Sequence, residues 1–159
     1  SGRSCVVVGG VWWSMQALSA SCVGKTKACA AREAVAEYSK RLSRFVNFEI
    51  REIAEGKNLE EEAEGILRAA RGYVIALCIE GKKFSSEALA AELKKQYDRG
   101  AEVTFIIGSS CGLSQRVKSA AALRLSFSDM TFPPHMIRLI LCVQIHRSHL
   151  IYIAIHSIK

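Results

Sequence analysis

The sequence predicts an α/β domain: an open, mostly parallel sheet with helices on both of its faces. Three observations lead there. From residue 16 onward, strand-like and helix-like segments alternate in the order β-α-β-α-β-α-β. Two of the strands, residues 73–79 and 103–107, are almost continuously apolar, the pattern of strands buried on both faces. The second of these stops at Gly108 and passes into Ser109-Ser110-Cys111-Gly112. Small residues at that place form ligand-binding loops beyond the carboxyl ends of parallel strands.

Taken in order, residues 16–23 form a first strand, diluted by Ser19 and Ser21 and ended by Gly24-Lys25. Residues 31–45 form a helix, because Ala31, Val35, Tyr38, Leu42 and Phe45 recur at steps of four and three along one face. Lys40, Arg41 and Arg44 crowd its last turn, where cations suit the helix dipole. Residues 48–53 alternate apolar and charged, a second strand. Glu55-Gly56-Lys57-Asn58 makes a turn, and residues 59–70 form a helix with Leu59, Ala63, Ile66, Leu67 and Ala70 on one side. Its Glu60-Glu61-Glu62 run lies in the first turn, where anions are favoured, and reads as a solvated face rather than a metal site. The buried strand 73–79 follows, then a loop at Glu80-Gly81-Lys82-Lys83. Ser85 or Ser86 caps a helix carrying Leu89, Leu93 and Tyr97 at steps of four, ended by Arg99-Gly100.

The strand 103–107 comes next, then a short helix over 114–121 and a strand over 123–127 that opens into a second loop of small and polar residues. Two such loops, about 20 residues apart in sequence, suit one small molecule between them. Pro133-Pro134 opposes a helix running through that point. The tail 135–155 is apolar but interrupted by Arg138, Gln144, His146, Arg147 and His149. That pattern fits a long amphipathic helix at a subunit interface and argues against a membrane span.

The 159 residues suffice for one domain, and half of them are apolar. The net charge of +7 is uneven: residues 1–54 carry +4, residues 55–112 carry −2 and residues 113–159 carry +5. Basic termini suit a polyanion such as RNA, and equally serve as solubilising charge. Six cysteines, at 5, 22, 29, 78, 111 and 142, form no Cys-x-x-Cys pair, which points to a reducing compartment, the cytoplasm, without structural disulfides or zinc. Residues 1–14 hold Gly9-Gly10, Trp12-Trp13 and a single charge, Arg3, ahead of Met15. They read as a disordered leader, processed or added upstream, and residues 15–159 as the single domain. His135, His146 and His149 lack the three or four converging ligands a metal needs. Cys111 has no dedicated base beside it in sequence and reads as a small loop residue rather than a nucleophile.

Several motifs recur together in a known order. They are Val23-Gly24-Lys25, Ala36-Glu37-Tyr38-Ser39-Lys40-Arg41-Leu42, Leu77-Cys78-Ile79-Glu80-Gly81-Lys82, Phe84-Ser85-Ser86-Glu87, Phe105-Ile106-Ile107-Gly108 with Gly112-Leu113, and Leu125-Ser126-Phe127-Ser128-Asp129-Met130-Thr131-Phe132-Pro133. This series resembles the bacterial large-subunit ribosomal RNA pseudouridine-N3 methyltransferases of the SPOUT superfamily, over about residues 15–159. The resemblance implies a carboxyl-terminal deep trefoil knot, a homodimer, and S-adenosylmethionine as cofactor, with no metal. The implied substrate is a pseudouridine of 23S ribosomal RNA, free or in the ribosome. The resemblance further implies that Leu77, Gly108 and the loop Phe127, Ser128, Asp129, Met130, Thr131 and Phe132 contact the cofactor. Arg138 and Arg147 match family positions that face RNA or the partner subunit, and for Arg138 pairing with a carbonyl or acid is an equal reading. No residue is assigned as proton acceptor.

The chain departs from the family pattern in places. Ser109 stands where a second glycine is usual, and Pro133-Pro134-His135 where Pro-His-Gln is usual. Val143-Gln144-Ile145-His146-Arg147-Ser148 replaces a Glu-Gln-Ile-Tyr-Arg-Ala stretch, and the chain ends His156-Ser157-Ile158-Lys159 rather than near Pro-Tyr-His-Lys. Two functions therefore follow from the sequence: an S-adenosylmethionine-dependent methyltransferase of ribosomal RNA, or a catalytically impaired RNA- or ribosome-binding protein that retains the fold. Cofactor binding separates them.

Overall fold

The computed structural model describes residues 5–8, 11–14 and 16–158. Among residues 1–14, β1 (Cys5–Val8) and β2 (Val11–Ser14) pair antiparallel as a separate two-stranded sheet. The other positions of the leader expectation, residues 1–4, 9 and 10, lie outside the described residues.

The main sheet is built from β3 (Ala17–Val23), β4 (Asn47–Ile53), β5 (Tyr73–Lys83), β6 (Val103–Ile107) and β7 (Leu123–Ser126). Its order is β4-β3-β6-β5-β7, and every pairing is parallel. The helices are α1 (Cys29–Leu42), α2 (Leu59–Ala69), α3 (Ser86–Asp98), α4 (Gln115–Ala120) and α5 (Pro134–Ile158). They cover both faces, as the alternating pattern predicts. Along β6, Val103, Phe105 and Ile107 pack with residues of α1, α3 and α5, including Leu42, Leu93 and Ile145. Ile106 between them packs with Ala63 and Ile66 of α2 and Val117 of α4. All five residues of β6 are buried and four of them are apolar, as a strand covered on both faces requires.

The serines that dilute the first strand have local explanations in part. Ser19 Oγ lies 3.3 Å from Thr104 Oγ1 on the neighbouring strand, and that threonine donates to Arg71 O at 2.7 Å. Helix starts follow the capping residues: Asn58, Ser85 and Ser114 each accept a backbone N–H from three residues on. Pro134 takes the first position of α5, where a missing N–H costs nothing, and Pro133 O accepts from Met136 N and Ile137 N.

Several boundaries differ from the sequence reading, most by one to three residues. The first helix starts at Cys29 and closes at Leu42, with Phe45 beyond its end, because Ser43 caps it and its backbone N–H returns to Ser39 O. The last strand stops at Ser126, one residue early. The larger correction concerns Glu80-Gly81-Lys82-Lys83, expected as a loop. Strand β5 runs through it to Lys83. Its ladder with β7 shifts register, so that Leu77 and Lys82 both stand opposite Leu125. The four residues between them bulge out of the sheet. A Cβ at Gly81 would come within 2.7 Å of the Leu125 backbone, so glycine is what permits this second pairing. Among the described residues, no helix is long and apolar enough to cross a membrane.

Candidate active site

Three segments meet along the carboxyl-terminal edge of the sheet: the β5 bulge, the β6–α4 turn and the β7–α5 loop. They enclose a cavity of about 370 Å³. Such a volume lies at the lower end of small-molecule sites. Its floor is apolar, from Leu77, Ile107, Leu125, Phe127 and Ile137. Ile79 and Met130 line it while remaining 50% and 73% exposed, unusual for large apolar side chains.

The β6–α4 turn is held tightly. Gly112 N donates to Ser109 O at 2.9 Å, closing a four-residue turn. Gly112 sits at φ +85°, a conformation that L side chains rarely adopt. A Cβ on Gly108 would lie 2.4 Å from Gly112 O, so the turn folds directly over that glycine. Ser109, where the resembling family has glycine, donates its hydroxyl to Glu62 Oε1 at 3.2 Å. The buried Glu62 also accepts from Gly56 N at 3.2 Å, which ties the turn to the start of α2. Cys111 is exposed in this turn and lines the cavity.

The β7–α5 loop is braced from within. Ser126 Oγ donates to Ser128 O at 3.0 Å, and Met130 N donates to Ser128 Oγ at 3.0 Å. Asp129 is the one residue of 127–132 that turns off the cavity wall; it pairs instead with Lys83 at the end of β5. The structure thus brings Leu77, Gly108, Phe127, Ser128, Met130, Thr131 and Phe132 to one cavity, with Asp129 beside it.

The two arginines lie elsewhere. Arg138 is buried at the start of α5 and turned inward. Its Nη1 donates to Thr26 Oγ1 at 2.9 Å and Glu52 Oε2 at 3.3 Å, and its Nη2 donates to Val23 O at 3.0 Å and Gly24 O at 2.7 Å. It therefore closes the carboxyl end of β3, pairing carbonyls and an acid. Arg147 is exposed further along α5. His149 is buried between Phe45 and Tyr97. Its Nδ1–H donates to Ile145 O at 2.7 Å, which leaves Nε2 to accept from the Tyr97 hydroxyl at 2.9 Å. Burial pushes its pKa down to about 4, so the ring is neutral. His146 packs edge-on to Tyr38. Among the described residues, no cluster of three His, Cys, Asp or Glu is disposed to hold a metal.

Two charged residues of the cavity wall were not singled out from the sequence. Glu80 and Lys118 face each other across the wall and form an ion pair. The Lys118 ammonium holds the Glu80 carboxyl below its ordinary range. Glu80 was hidden in an expected loop. Lys118, one turn after the Ser114 cap, is legible only once α4 is known to lie against the cavity.

A family model described as "Predicted SPOUT methyltransferase" matches residues 17–154. The chain belongs to this family. It is 44% identical over 144 residues to ribosomal RNA large subunit methyltransferase H of Streptococcus thermophilus (strain CNRZ 1066), a match covering 81% of this chain and 91% of that protein. The protein of the same name from Streptococcus gordonii is 42% identical over 144 residues, with the same two coverages. In fold, the chain is similar to a methylase family protein from Haemophilus influenzae Rd KW20, with TM-score 0.54 and 9% identity over 86% of this chain and 67% of that one. A methylase family protein from Neisseria gonorrhoeae matches with TM-score 0.54 and 12% identity, covering 82% of each chain. The SPOUT assignment makes the protein a methyltransferase whose methyl donor is S-adenosylmethionine. The cavity fits such a group: an apolar floor for a flat base, backbone approached closely at Gly108, and a charged pair on the wall.

Proposed function

We propose that this protein methylates N3 of a pseudouridine in 23S ribosomal RNA, acting in the cytoplasm as a homodimer. The observation that carries the reading is the convergence of three loops of a SPOUT chain on one cavity at the carboxyl ends of β5, β6 and β7. The identity to proteins named ribosomal RNA large subunit methyltransferase H supports the choice of RNA. Leu77 and Phe127 would flank the adenine, and backbone groups around Gly108 and from Ser128 to Phe132 would hydrogen-bond it and hold the loop over it. S-adenosylmethionine supplies an electrophilic methyl carbon on a sulfonium sulfur. The work of the chain is to orient that carbon and exclude water, and orientation supplies much of the rate in such a transfer.

The homodimer is supported by the outer side of α5. Met136 and Leu150 are exposed there, and Ile140 and Val143 are half-buried, on a helix whose other side is packed against α1 and α3. A second copy of the chain covers such a face. The trefoil knot is supported by the way α5, the last element, reaches back through Arg138 to the end of β3, the first strand of the main sheet.

The test is methyl transfer from labelled S-adenosylmethionine to large subunits or ribosomes that lack the modification, with the product nucleoside identified by mass spectrometry. The expected product is a pseudouridine carrying one methyl group at N3. Methyl groups on another nucleoside would overturn the assignment of substrate. Cofactor binding with no transfer to any ribosomal RNA would leave an RNA-binding protein that retains the fold.

A further inference from the structure

The cavity wall carries a charge arrangement that the contacts implied by the family do not use. Twenty-one residues line the cavity, and only Glu80 and Lys118 among them are charged. They come from separate elements, the β5 bulge and α4, and meet as an ion pair. The Lys118 side chain is only 18% exposed, whereas Glu80 is 54% exposed. The ammonium is therefore largely withdrawn from bulk solvent on the cavity wall, while the carboxylate stays open to it. The helix of Lys118 is also fixed: Arg124 Nε on β7 donates to Lys118 O at 3.2 Å.

An ammonium has three donors and a carboxylate has several acceptor sites. One contact between them leaves donors on Lys118 and acceptor capacity on Glu80 free toward the cavity. The remainder of the cavity has an apolar floor and a rim of small residues. A ligand that fits it is apolar and flat at one end and zwitterionic at the other.

We propose that Glu80 and Lys118 form the subsite for the aminocarboxylate end of the cofactor, Lys118 receiving the carboxylate and Glu80 the ammonium. This rests on the cavity being the S-adenosylmethionine site. The four charges then alternate in sign around the contact, so each like-charge pair is separated by an opposite charge. The subsite selects ligands that carry the amino-acid end and orients the sulfonium by fixing that end. It also explains why the β5 bulge is needed: it is the bulge, made possible by Gly81, that carries Glu80 to the wall.

The experiment is calorimetric titration of the full chain with three probes: S-adenosylmethionine, S-adenosylhomocysteine, and 5′-methylthioadenosine, which keeps the adenosine and lacks the amino-acid end. In Lys118→Met, S-adenosylhomocysteine should bind at least about tenfold more weakly, the size expected for losing one charge-assisted contact. Methylthioadenosine should bind as to the wild type. A double variant, Glu80→Lys with Lys118→Glu, restores the ion pair with its polarity reversed. Recognition predicts that it does not recover affinity for S-adenosylhomocysteine; a merely structural pair predicts that it does. Equal losses for both probes, no loss for either, or recovery in the double variant would each overturn the subsite. If the wild type binds none of the three probes, the cofactor site itself is misplaced and the subsite falls with it. If Lys118→Met does not fold, the double variant decides.

Discussion

Gly108 offers the sharpest perturbation of the cavity, because its need for glycine is one of space. A Cβ there would stand 2.4 Å from Gly112 O, 2.7 Å from Gly112 C and 3.0 Å from a Leu113 methyl. Two of these are backbone atoms, so relief requires the turn itself to move. Overpacking of this kind costs about 1–3 kcal/mol. The displaced turn is a wall of the cavity, so Gly108→Ala should weaken S-adenosylmethionine binding by at least about tenfold, equivalent to roughly 1.4 kcal/mol. Gly112→Ala is the matched control. At φ +85° it carries conformational strain, but no atom lies within 4 Å of its added Cβ. Its cost should be about 1–2 kcal/mol of folding stability from the left-handed backbone. Urea denaturation gives the stability of each variant and calorimetry gives the cofactor affinity. If Gly108→Ala binds S-adenosylmethionine as tightly as the wild type and loses no stability, the close approach of the turn does not shape the cavity and the reasoning fails.

Three further outcomes are expected. Arg138→Met should lower unfolding free energy by about 3 kcal/mol, because it strips buried donors from Val23 O, Gly24 O and Thr26 and leaves Glu52 uncompensated; urea denaturation measures it, and Arg138→Lys should recover little, since one ammonium cannot span those acceptors. His149 has a folded pKa of about 4 against an ordinary 6.5, so the unfolded chain binds the extra proton first as pH falls. Stability should therefore drop by about 2 kcal/mol between pH 7.5 and pH 5, and His149→Phe should remove that part of the pH dependence in parallel denaturation curves. Lys83→Met should leave the melting temperature almost unchanged, since the pair with Asp129 is exposed, yet weaken cofactor binding measured by calorimetry, since it releases the β7–α5 loop from β5.

Much of this architecture was legible because β5 and β6 are almost continuously hydrophobic where they are buried and the helices carry one apolar face. The loops after β6 and β7 were legible for a related reason: an apolar strand that ends in small residues marks the edge of a parallel sheet. The order β4-β3-β6-β5-β7 was not, because periodicity records which face is buried and not which strand is the neighbour. The continuation of β5 was hidden as well. Lys82 and Lys83 have no strand preference of their own and are held extended by pairing with Leu125 and Ser126. Arg138 was open to two readings for a similar reason. A cation on an apolar helix suggests an interface, but the bare carbonyls of Val23 and Gly24 stand beside the start of α5 and supply a stronger claim on its donors.

Each wall of the cavity has one tether, and the three differ in kind. The β6–α4 turn is fixed through Ser109 to the buried Glu62. The β7–α5 loop is fixed through Asp129 to Lys83, an exposed pair. The β5 bulge is fixed through Glu80 to the largely covered Lys118. Screening by salt acts mainly on exposed charges, so the turn is the rigid wall and the β7–α5 loop the one that yields. That loop also carries Met130, the most exposed large apolar side chain among the described residues. The substitution of serine for glycine at 109 falls on the rigid wall instead, where its hydroxyl gains a buried partner. The departure from the family pattern at that position therefore adds a hydrogen bond that ties the turn to α2, and the remaining departures fall at the start of α5 and along it.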